Sequence, residues 1–212
     1  MDGDGTETKL VSGYVLAGGG STRFGRDKAL VEIGGAPMLL RMRSLLGGIT
    51  KQVNVIAAPH KYAPLGVTCI ADRWEGQGPL AGIITALQTT EETGSGAEWN
   101  LIVGCDMPFL TREWLTYLAE RAQASSAEVV APRSAQGLEP LCACWRTSAA
   151  AKLQQVFEGG TRKITEAMKR LHMEVVDEAD WKRFDTAGRL FWNMNTAADY
   201  DEAKRILEAQ RG

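Results

Sequence analysis

A short apolar run near the start of the chain, Val11 to Leu16, breaks directly into a glycine-rich segment that carries basic residues. From residue 16 the sequence reads Leu-Ala-Gly-Gly-Gly-Ser-Thr-Arg-Phe-Gly-Arg-Asp-Lys-Ala-Leu. Glycines allow the backbone to approach a ligand closely and to turn its N–H groups toward an anion. Arg23 and Lys28 add positive charge beside those N–H groups. The pattern predicts a phosphate-binding loop that follows a buried strand.

Two better-known phosphate-binding motifs do not describe this segment. A P-loop needs glycine before its lysine and serine or threonine after it, whereas aspartate precedes Lys28 and alanine follows it. The dinucleotide fingerprint G-x-G-x-x-G fits Gly18 and Gly20, but its third glycine position falls on Arg23. An ordinary glycine-rich turn between a strand and a helix is the structural alternative.

Length and composition predict one globular domain. The chain has 212 residues, of which 44% are hydrophobic and 24% charged, and its net charge is −2. Because no long basic run is present, we expect no nucleic-acid partner. We expect residues 1–10 to form a disordered tail and residues 11–212 a single domain. No signal-peptide pattern or run of membrane-spanning length is visible, so the expected location is the cytoplasm, without a membrane partner.

The four cysteines predict buried, reduced thiols rather than a metal site. They form no C-x-x-C pair, and the chain has only two histidines, which disfavours zinc. Cys142 and Cys144 are two residues apart and would share one face of a strand.

Strand and helix patterns alternate along the chain. Strands are predicted over residues 13–17, 53–57, 67–71, 99–105, 128–131, 138–145, 173–176 and 190–194. Helices are predicted over residues 37–46, 80–90, 111–124, 147–157 and 161–171, with a last one opening at Thr196 and capped by Asp199. The alternation predicts a three-layer α/β sandwich with a mostly parallel, Rossmann-like central sheet. The binding crevice is then expected at the carboxyl ends of the strands.

An aspartate at the end of a central strand is the second functional signal. Residues 101–106 read Leu-Ile-Val-Gly-Cys-Asp, and Met-Pro-Phe-Leu follows. This places the Asp106 carboxylate at the rim of the sheet, where it is a candidate ligand for Mg²⁺, which uses one or two carboxylates together with substrate phosphates. A helix N-cap or a plain loop acid is the alternative.

Three further segments carry weaker signals. Asp72 precedes Gly-Gln-Gly-Pro-Leu-Ala-Gly-Ile at residues 76–83, where glycines before a helix would allow close approach to a sugar or base. Taken alone, this segment is better explained as a simple loop and helix start. Asn193 and Asn195 precede the last helix, would share a strand face and offer amides to a polar ligand. Arg162 stands at a basic helix entrance that suits an anion, or that is simply a solvated helix end.

Together these segments resemble the molybdenum cofactor guanylyltransferase family over about residues 11 to 209. The first segment is similar to the family's L-A-G-G-x-S-x-R-M-G-x-D-K signature, with Phe24 in place of methionine. The Asp106 segment resembles the C-D-x-P-F-L box, and the G-P-L-x-G-I string is also present. Glu139-Pro140-Leu141 resembles an x-P-L box. The stretch from Asn193 resembles N-x-N-T-P, with alanine for proline.

The resemblance implies a nucleotidyltransferase fold and the transfer of GMP from GTP to the terminal phosphate of molybdopterin or the molybdenum cofactor, with release of pyrophosphate. It implies catalytic roles for Arg23, Lys28 and Asp106, with Mg²⁺ on Asp106. The implied nucleotide-binding residues are Leu16, Ala17, Gly18, Gly19, Gly20, Ser21, Lys28, Asp72 and Asp106. The implied acceptor-binding residues are Glu139, Pro140, Arg162, Asn193 and Asn195. Molybdoenzymes that receive the product are possible delivery partners.

One departure and two alternatives remain open. After the second predicted strand the family can carry an asparagine that contacts the nucleotide, whereas residues 56–59 here are Ile-Ala-Ala-Pro. Related cytidylyltransferases begin L-A-A-G, so Gly18 in place of alanine favours the bulkier guanine. The alternatives are a cytidylyltransferase acting on molybdopterin or a sugar phosphate, and a non-catalytic carrier of the molybdenum cofactor.

Overall fold

The computed structural model describes residues 11–18, 27–50, 52–185 and 187–209. The predicted tail, residues 1–10, lies outside this range, as do four predicted site residues, Gly19, Gly20, Ser21 and Arg23. The strands are β1 Val11–Leu16, β2 Glu32–Ile33, β3 Ala36–Pro37, β4 Val53–Ile56, β5 Trp99–Gly104, β6 Val129–Ser134, β7 Gly137–Leu138, β8 Cys142–Arg146 and β9 Met173–Val176. The α-helices are α1 Met38–Gly47, α2 Pro79–Glu92, α3 Arg112–Gln123, α4 Ala150–Glu158, α5 Ile164–Met168, α6 Glu178–Trp181 and α7 Ala197–Ala209.

The central sheet has the strand order β4-β1-β5-β8-β6-β7, with β9 paired to β6. Strand β1 is parallel to both β4 and β5, while β8 is antiparallel to both β5 and β6. Strands β4, β1, β5, β6 and β9 therefore run in one direction, and β8 and β7 run in the other. The mostly parallel sheet predicted from the sequence is confirmed.

Helices cover both faces of the sheet, which gives the predicted three layers. One apolar cluster joins the sheet to α1, α3 and α7, and a second joins it to α2, α4 and α5. Strand β8 shows the alternation that makes this possible: Cys142 and Cys144 belong to the first cluster, and Ala143 and Trp145 to the second. The cysteines are free, and all except Cys69 are buried, as the sequence predicted.

Two predicted strands are wrong. In residues 67–71 only Ile70 pairs with the sheet, through a single bridge to Ile56 at the outer edge. Residues 190–194 form a turn and an irregular stretch, so Asn193 does not lie on a strand face. This stretch is apolar because Phe191 packs edge-on against Trp114 and Trp181 in the core, not because it joins a ladder.

The sequence analysis also missed the small hairpin of β2 and β3. Its two-residue turn is Gly34-Gly35, and both residues have positive φ, at 61° and 79°. A two-glycine turn between short strands is a recognisable hairpin signal.

A buried polar network ties the second helical layer to the amino end of β5. Asn100 accepts a hydrogen bond from the Thr90 hydroxyl at 2.5 Å and donates to the Trp145 carbonyl and the Thr147 hydroxyl at 3.2 and 3.0 Å. The Tyr14 hydroxyl lies 2.7 Å from that of Thr90. Because Thr90 donates to Asn100, Tyr14 is the donor to Thr90. The network joins α2, β1, β5 and β8 without reaching the carboxyl ends of the strands.

We predict that Asn100→Ala lowers the free energy of unfolding by about 3 kcal/mol, because several buried polar groups lose their partner at once. Urea unfolding at neutral pH measures this. Since Asn100 is at the amino end of β5, the folded variant should keep wild-type activity. A loss of less than about 0.5 kcal/mol, the range of ordinary surface substitutions, would show that the network does not stabilise the fold.

Candidate active site

Three of the predicted site residues, Leu16, Ala17 and Asp106, lie where β1 and β5 end side by side. Leu16, the last residue of β1, is in register with Gly104, the last residue of β5. Ala17 continues from β1 and donates its amide to the Ile56 carbonyl at 3.0 Å. Asp106 follows β5 by two residues. The start of the glycine-rich segment and the Asp106 carboxylate therefore share one edge of the sheet, as the crevice rule for α/β sheets predicts.

The Asp106 carboxylate is held in an environment that suits a cation. Its Oδ1 atom is buried and has no hydrogen-bond partner in the described part of the chain. Gly104 makes room for it, because a Cβ atom on Gly104 would lie only 2.9 Å from Oδ1. Burial raises the pKa of Asp106, and the positive charge of Lys28 acts in the opposite direction. A buried carboxylate oxygen without a partner fits a hard cation that takes its remaining ligands from a substrate.

The described residues contain no group of three or more histidine, cysteine, aspartate or glutamate side chains able to enclose a metal ion. A closed, all-protein metal site of the structural kind is therefore not formed there. The arrangement matches the alternative in which a protein supplies one carboxylate and the substrate supplies phosphate oxygens.

The segment before α7 connects Asp106 to Lys28. The Met194 amide donates to the Asp106 carbonyl at 2.8 Å. One residue further on, Asn195 Oδ1 accepts a hydrogen bond from Lys28 Nζ at 3.0 Å. The structure thus brings Lys28, Asp106 and Asn195 together from three distant parts of the sequence.

The predicted cap of α7 is confirmed. Asp199 Oδ2 accepts from the amides of Asn195 and Thr196, both at 2.8 Å, and the Asp199 amide donates to the Thr196 hydroxyl at 3.2 Å. These amides lower the pKa of Asp199, with that of Asn195 contributing most. The cap fixes the backbone of Asn195, and the Asn195 side chain stays available for its hydrogen bond with Lys28.

Lys28 itself begins a short 3₁₀ turn, Lys28–Leu30, whose N-cap is Asp27. Asp27 Oδ1 accepts from the Ala29 amide at 3.0 Å. Its Oδ2 accepts from the Tyr62 hydroxyl and pairs with Lys61 Nζ, each at 2.9 Å. The sequence analysis did not identify Tyr62 or Lys61, because nothing in local spacing links them to residue 27.

Asp72 and Gly82 lie on the α2 side of the crevice. Asp72 Oδ1 accepts from the Trp74 amide and the Thr85 hydroxyl, both at 3.1 Å. A Cβ atom on Gly82 would lie 3.4 Å from the Leu16 side chain and 3.8 Å from Asp72 Oδ2. Asp72 therefore stands beside Leu16 at the end of β1, with one oxygen engaged in shaping its own loop.

Arg162 contacts the loop that leads into α2. Its guanidinium lies 4.0 Å from the centre of the Phe157 ring, and its Nε donates to Gln77 Oε1 at 3.2 Å. Trp74 packs on Phe157, with ring centres 5.3 Å apart. Arg162 is thus placed with the Asp72–Gln77 loop, and its role toward an acceptor stays a prediction.

Glu139 lies on the Asp106 side of the crevice, between β7 and β8. It is buried, and its Oε1 accepts from the Ser134 hydroxyl at 2.6 Å. Burial raises the pKa of Glu139, and the charge of Asp106 adds to the increase. Pro140 follows, and the Leu141 carbonyl then accepts from the Gly104 amide at 2.9 Å. The Glu139-Pro140-Leu141 segment therefore runs along the end of β5.

An aromatic pair that the sequence analysis missed borders the same region. Phe109 and Trp192 stack with ring centres 5.4 Å apart and planes 18° apart. Phe109 is three residues beyond Asp106, and Trp192 directly precedes Asn193. No periodic signal could reveal this pair, because each residue lies in an irregular segment.

A mostly parallel α/β sheet whose carboxyl edge carries the start of a glycine-rich segment, a lysine, and a carboxylate with one oxygen unpartnered among the described residues is the architecture of a nucleotidyltransferase. Comparison with known proteins gives the family. Residues 13–174 match the MobA-like NTP transferase domain, and the chain belongs to that family.

Its relatives agree with this assignment. The chain is 32% identical to a probable molybdenum cofactor guanylyltransferase of Chloroflexus aggregans, over 90% of this chain and 91% of that protein. It is 29% identical to a protein of the same name from Pelotomaculum thermopropionicum, over 94% and 95% of the two chains. The crystal structure of molybdopterin-guanine dinucleotide biosynthesis protein A from Archaeoglobus fulgidus superimposes with a TM-score of 0.79 at 25% identity, covering 93% of this chain and 99% of that one.

Among the described residues, no helix has both the length and the apolar character needed to cross a membrane. The cytoplasmic location expected from the sequence stays a prediction.

We predict that Asp106→Asn raises the melting temperature of the ligand-free protein at neutral pH. The folded-state pKa of Asp106 lies above its unfolded value of about 3.9. The wild type therefore loses stability as pH rises from about 4 through the raised pKa, while the neutral asparagine does not. Melting curves from pH 4 to pH 8 should show the advantage of the variant appearing with increasing pH.

Asp199→Asn is the matched control with the opposite sign. The pKa of Asp199 is lowered in the fold, so its carboxylate stabilises the protein above pH about 4 and that stability is lost as pH falls through the lowered value. This variant should melt below the wild type at neutral pH. If Asp106→Asn melted at or below the wild-type temperature over the whole range, the Asp106 carboxylate would not be destabilising.

Proposed function

We propose that this protein transfers GMP from GTP to molybdopterin, forming the guanine dinucleotide and releasing pyrophosphate. The observation that carries the proposal is the convergence of Lys28, Asp106 and Asn195 at the ends of β1 and β5. The names of its relatives, molybdenum cofactor guanylyltransferase, support a guanylyl group as the group transferred and the molybdenum cofactor as the acceptor.

In the proposed reaction an oxygen of the molybdopterin phosphate attacks the α-phosphorus of GTP. The bond between that phosphorus and the oxygen bridging to the β-phosphate breaks, and its electron pair leaves with pyrophosphate. A phosphate monoester has a second pKa of about 6, so the nucleophile is already ionised near neutral pH. The protein therefore needs no general base, and its work is alignment and charge stabilisation.

Lys28 is proposed to hold the phosphates that leave. Its ammonium group now donates to the neutral amide oxygen of Asn195, at 3.0 Å. An anionic phosphate is a stronger acceptor than an amide, so Lys28 can exchange this partner for the triphosphate. Gly18, and beyond the described residues Gly19, Gly20, Ser21 and Arg23, are proposed to complete the phosphate site.

Asp106 is proposed to hold Mg²⁺ through its carboxylate, one oxygen of which has no partner among residues 11–18, 27–50, 52–185 and 187–209. Bound there, the ion would supply positive charge against the phosphate oxygens of GTP. The Asp106 backbone is fixed by Met194, so its side chain is presented from a defined position.

The acceptor is proposed to bind on the side of Asp106 that carries Glu139, Pro140, Asn193 and Asn195. Glu139 offers a buried carboxyl and the asparagines offer amides, which suit a polar heterocycle. Arg162 is proposed to bind an acceptor phosphate from the opposite side of the crevice, beside Gln77.

The choice of guanine is proposed to depend on the space beside Gly18. Among the described residues, a Cβ atom there would meet the Ala57 backbone alone, at 3.9 Å, which is an ordinary contact. Alanine would thus fit the protein, and glycine leaves that volume to the nucleotide. Leu16, Ala17 and Asp72 would border the same volume.

A carrier without catalytic activity is the alternative from another class. The buried, unpartnered oxygen of Asp106 argues against it. Burying a charge is unfavourable, and a carrier that never handles a metal-bound triphosphate gains nothing in return.

We predict that Lys28→Ala lowers turnover by about 10²–10³ in a protein that still folds, because Lys28 supplies charge rather than packing. The assay combines enzyme, molybdopterin, Mg²⁺ and each of the four nucleoside triphosphates, and measures dinucleotide and pyrophosphate. Lys152→Ala is the control, since Lys152 pairs with Glu128 at the amino end of β6. Wild-type turnover in a folded Lys28→Ala variant would count decisively against the phosphate site.

We predict that Gly18→Ala lowers kcat/KM for GTP more than for CTP, with no change in melting temperature. The structure leaves room for the methyl group, so the loss should fall on the larger base. Both nucleotides are measured with molybdopterin on one preparation. Equal losses for the two would mean that position 18 does not select the base.

A further inference from the structure

The Tyr62 hydroxyl contacts Ala17 and Asp27, the residues that come directly before and after the stretch 18–26 of the glycine-rich segment. Tyr62 lies in the loop after β4 and is completely buried. Its hydroxyl is 2.9 Å from Asp27 Oδ2 and 3.3 Å from the Ala17 carbonyl. In the sequence, Ala17 stands just before the segment and Asp27 immediately precedes Lys28.

The hydroxyl acts as a donor. Burial, and then the negative charge of Asp27, raise the pKa of Tyr62 above its ordinary value of about 10. Tyr62 is therefore protonated at any working pH. A hydroxyl has one proton, so the shorter contact with the carboxylate is the principal hydrogen bond, and the Ala17 carbonyl is a weaker second acceptor.

Both oxygens of Asp27 are occupied. Oδ2 accepts a hydrogen bond from the Tyr62 hydroxyl and forms an ion pair with Lys61. Oδ1 accepts a hydrogen bond from the Ala29 amide at the start of the 3₁₀ turn. Asp27 is therefore not offered to a metal or a substrate. Asp27 precedes Lys28, and its carboxylate accepts from the amide of Ala29, which follows Lys28. This contact fixes the backbone of Lys28 between the two residues.

The loop that carries Tyr62 contains a residue with an uncommon backbone conformation. His60 has φ of 63°, an uncommon value for a residue other than glycine. The Lys61 amide donates to the Ala58 carbonyl at 3.2 Å and the Ala63 amide to the His60 carbonyl at 3.1 Å. Such a conformation persists where the surroundings determine it, and functional sites are frequent examples.

From these contacts we propose that Tyr62, acting through Asp27, is a positioning residue that sets the place of Lys28 for phosphate binding. The inference rests on the proposed function. It also gives the loop after β4 a role, although residues 56–59 lack the asparagine that the family can carry there.

The test compares Tyr62→Phe with Tyr14→Phe. Both substitutions remove one hydroxyl from a tyrosine that is at most 1% exposed, and each hydroxyl makes a hydrogen bond. Tyr62 donates to a charged carboxylate and Tyr14 to a neutral hydroxyl, so Tyr62→Phe should lose more stability, and kcat is compared at a temperature where both variants are fully folded. Only Tyr62→Phe should lower kcat for dinucleotide formation from GTP and molybdopterin, by roughly tenfold, because small displacements of a catalytic group have large effects on rate.

If the role of Tyr62 were purely structural, the effect of Tyr62→Phe on kcat would not depend on whether Lys28 is present. We therefore repeat Tyr62→Phe in the Lys28→Ala background. If Tyr62 acts through Lys28, the second substitution should lower kcat no further. A full additional tenfold loss in that background would overturn the inference, as would a Tyr62→Phe variant with the kcat of Tyr14→Phe.

The same set of variants separates this inference from the proposed function. If Lys28→Ala removes most activity but Tyr62→Phe does not, the phosphate site stands and the positioning role of Tyr62 is wrong. If Lys28→Ala itself keeps wild-type activity, the proposed function fails at its phosphate site.

Discussion

The parallel pairing of β1 with β5 is the constraint on which the rest of the site depends. Six residue pairs align the two strands from Val11 with Trp99 to Leu16 with Gly104, so both strands end at the same level. At this shared edge the glycine-rich segment follows β1 and Asp106 follows β5. The segment before α7 then joins them, through Met194 to the Asp106 carbonyl and through Asn195 to Lys28. A shift of register by one residue would turn the core side chains of β5 to the wrong face, and the site would be lost together with the fold.

The Asp106 carboxylate is a buried group that lowers the stability of the fold. Its Oδ1 atom is buried and has no partner in the ranges that the structure describes, and Gly104 is required beside it because any larger residue would occupy that space. At the opposite end of β5, the buried groups of Asn100 are all paired with the side chains and backbone around them. One strand thus has a satisfied, stabilising amino end and an unsatisfied carboxyl end. This polarity is expected where an active site stores unfavourable electrostatics in order to bind a charged substrate.

Much of this arrangement was predictable from the sequence, for identifiable reasons. The apolar runs that became β1 and β5 are buried on both faces, and each ends in residues whose chemistry differs sharply from the run, so Lys28 and Asp106 could be assigned to one edge of the sheet. Residues 67–71 and 190–194 were wrongly predicted as strands. A run of apolar residues has the same sequence pattern whether it pairs in a β-ladder or packs against the core as an irregular segment. The Lys28–Asn195 and Asp27–Tyr62 contacts join residues far apart in sequence, 167 and 35 positions, and no local pattern encodes them. The hairpin at Gly34-Gly35, by contrast, has a local signal, because two glycines between short strands favour a two-residue turn.

The account's central claim is that Lys28 and Asp106 act on one triphosphate. The most direct measurement is a crystal structure of this protein with Mg²⁺ and a GTP analogue whose bridging oxygen between the α- and β-phosphorus atoms is replaced by a methylene group, so that transfer cannot occur. We expect Mg²⁺ on the Asp106 carboxylate, and Lys28 Nζ moved from Asn195 to an oxygen of the β- or γ-phosphate. A nucleotide bound elsewhere, with Lys28 still on Asn195 and no metal on Asp106, would contradict the account.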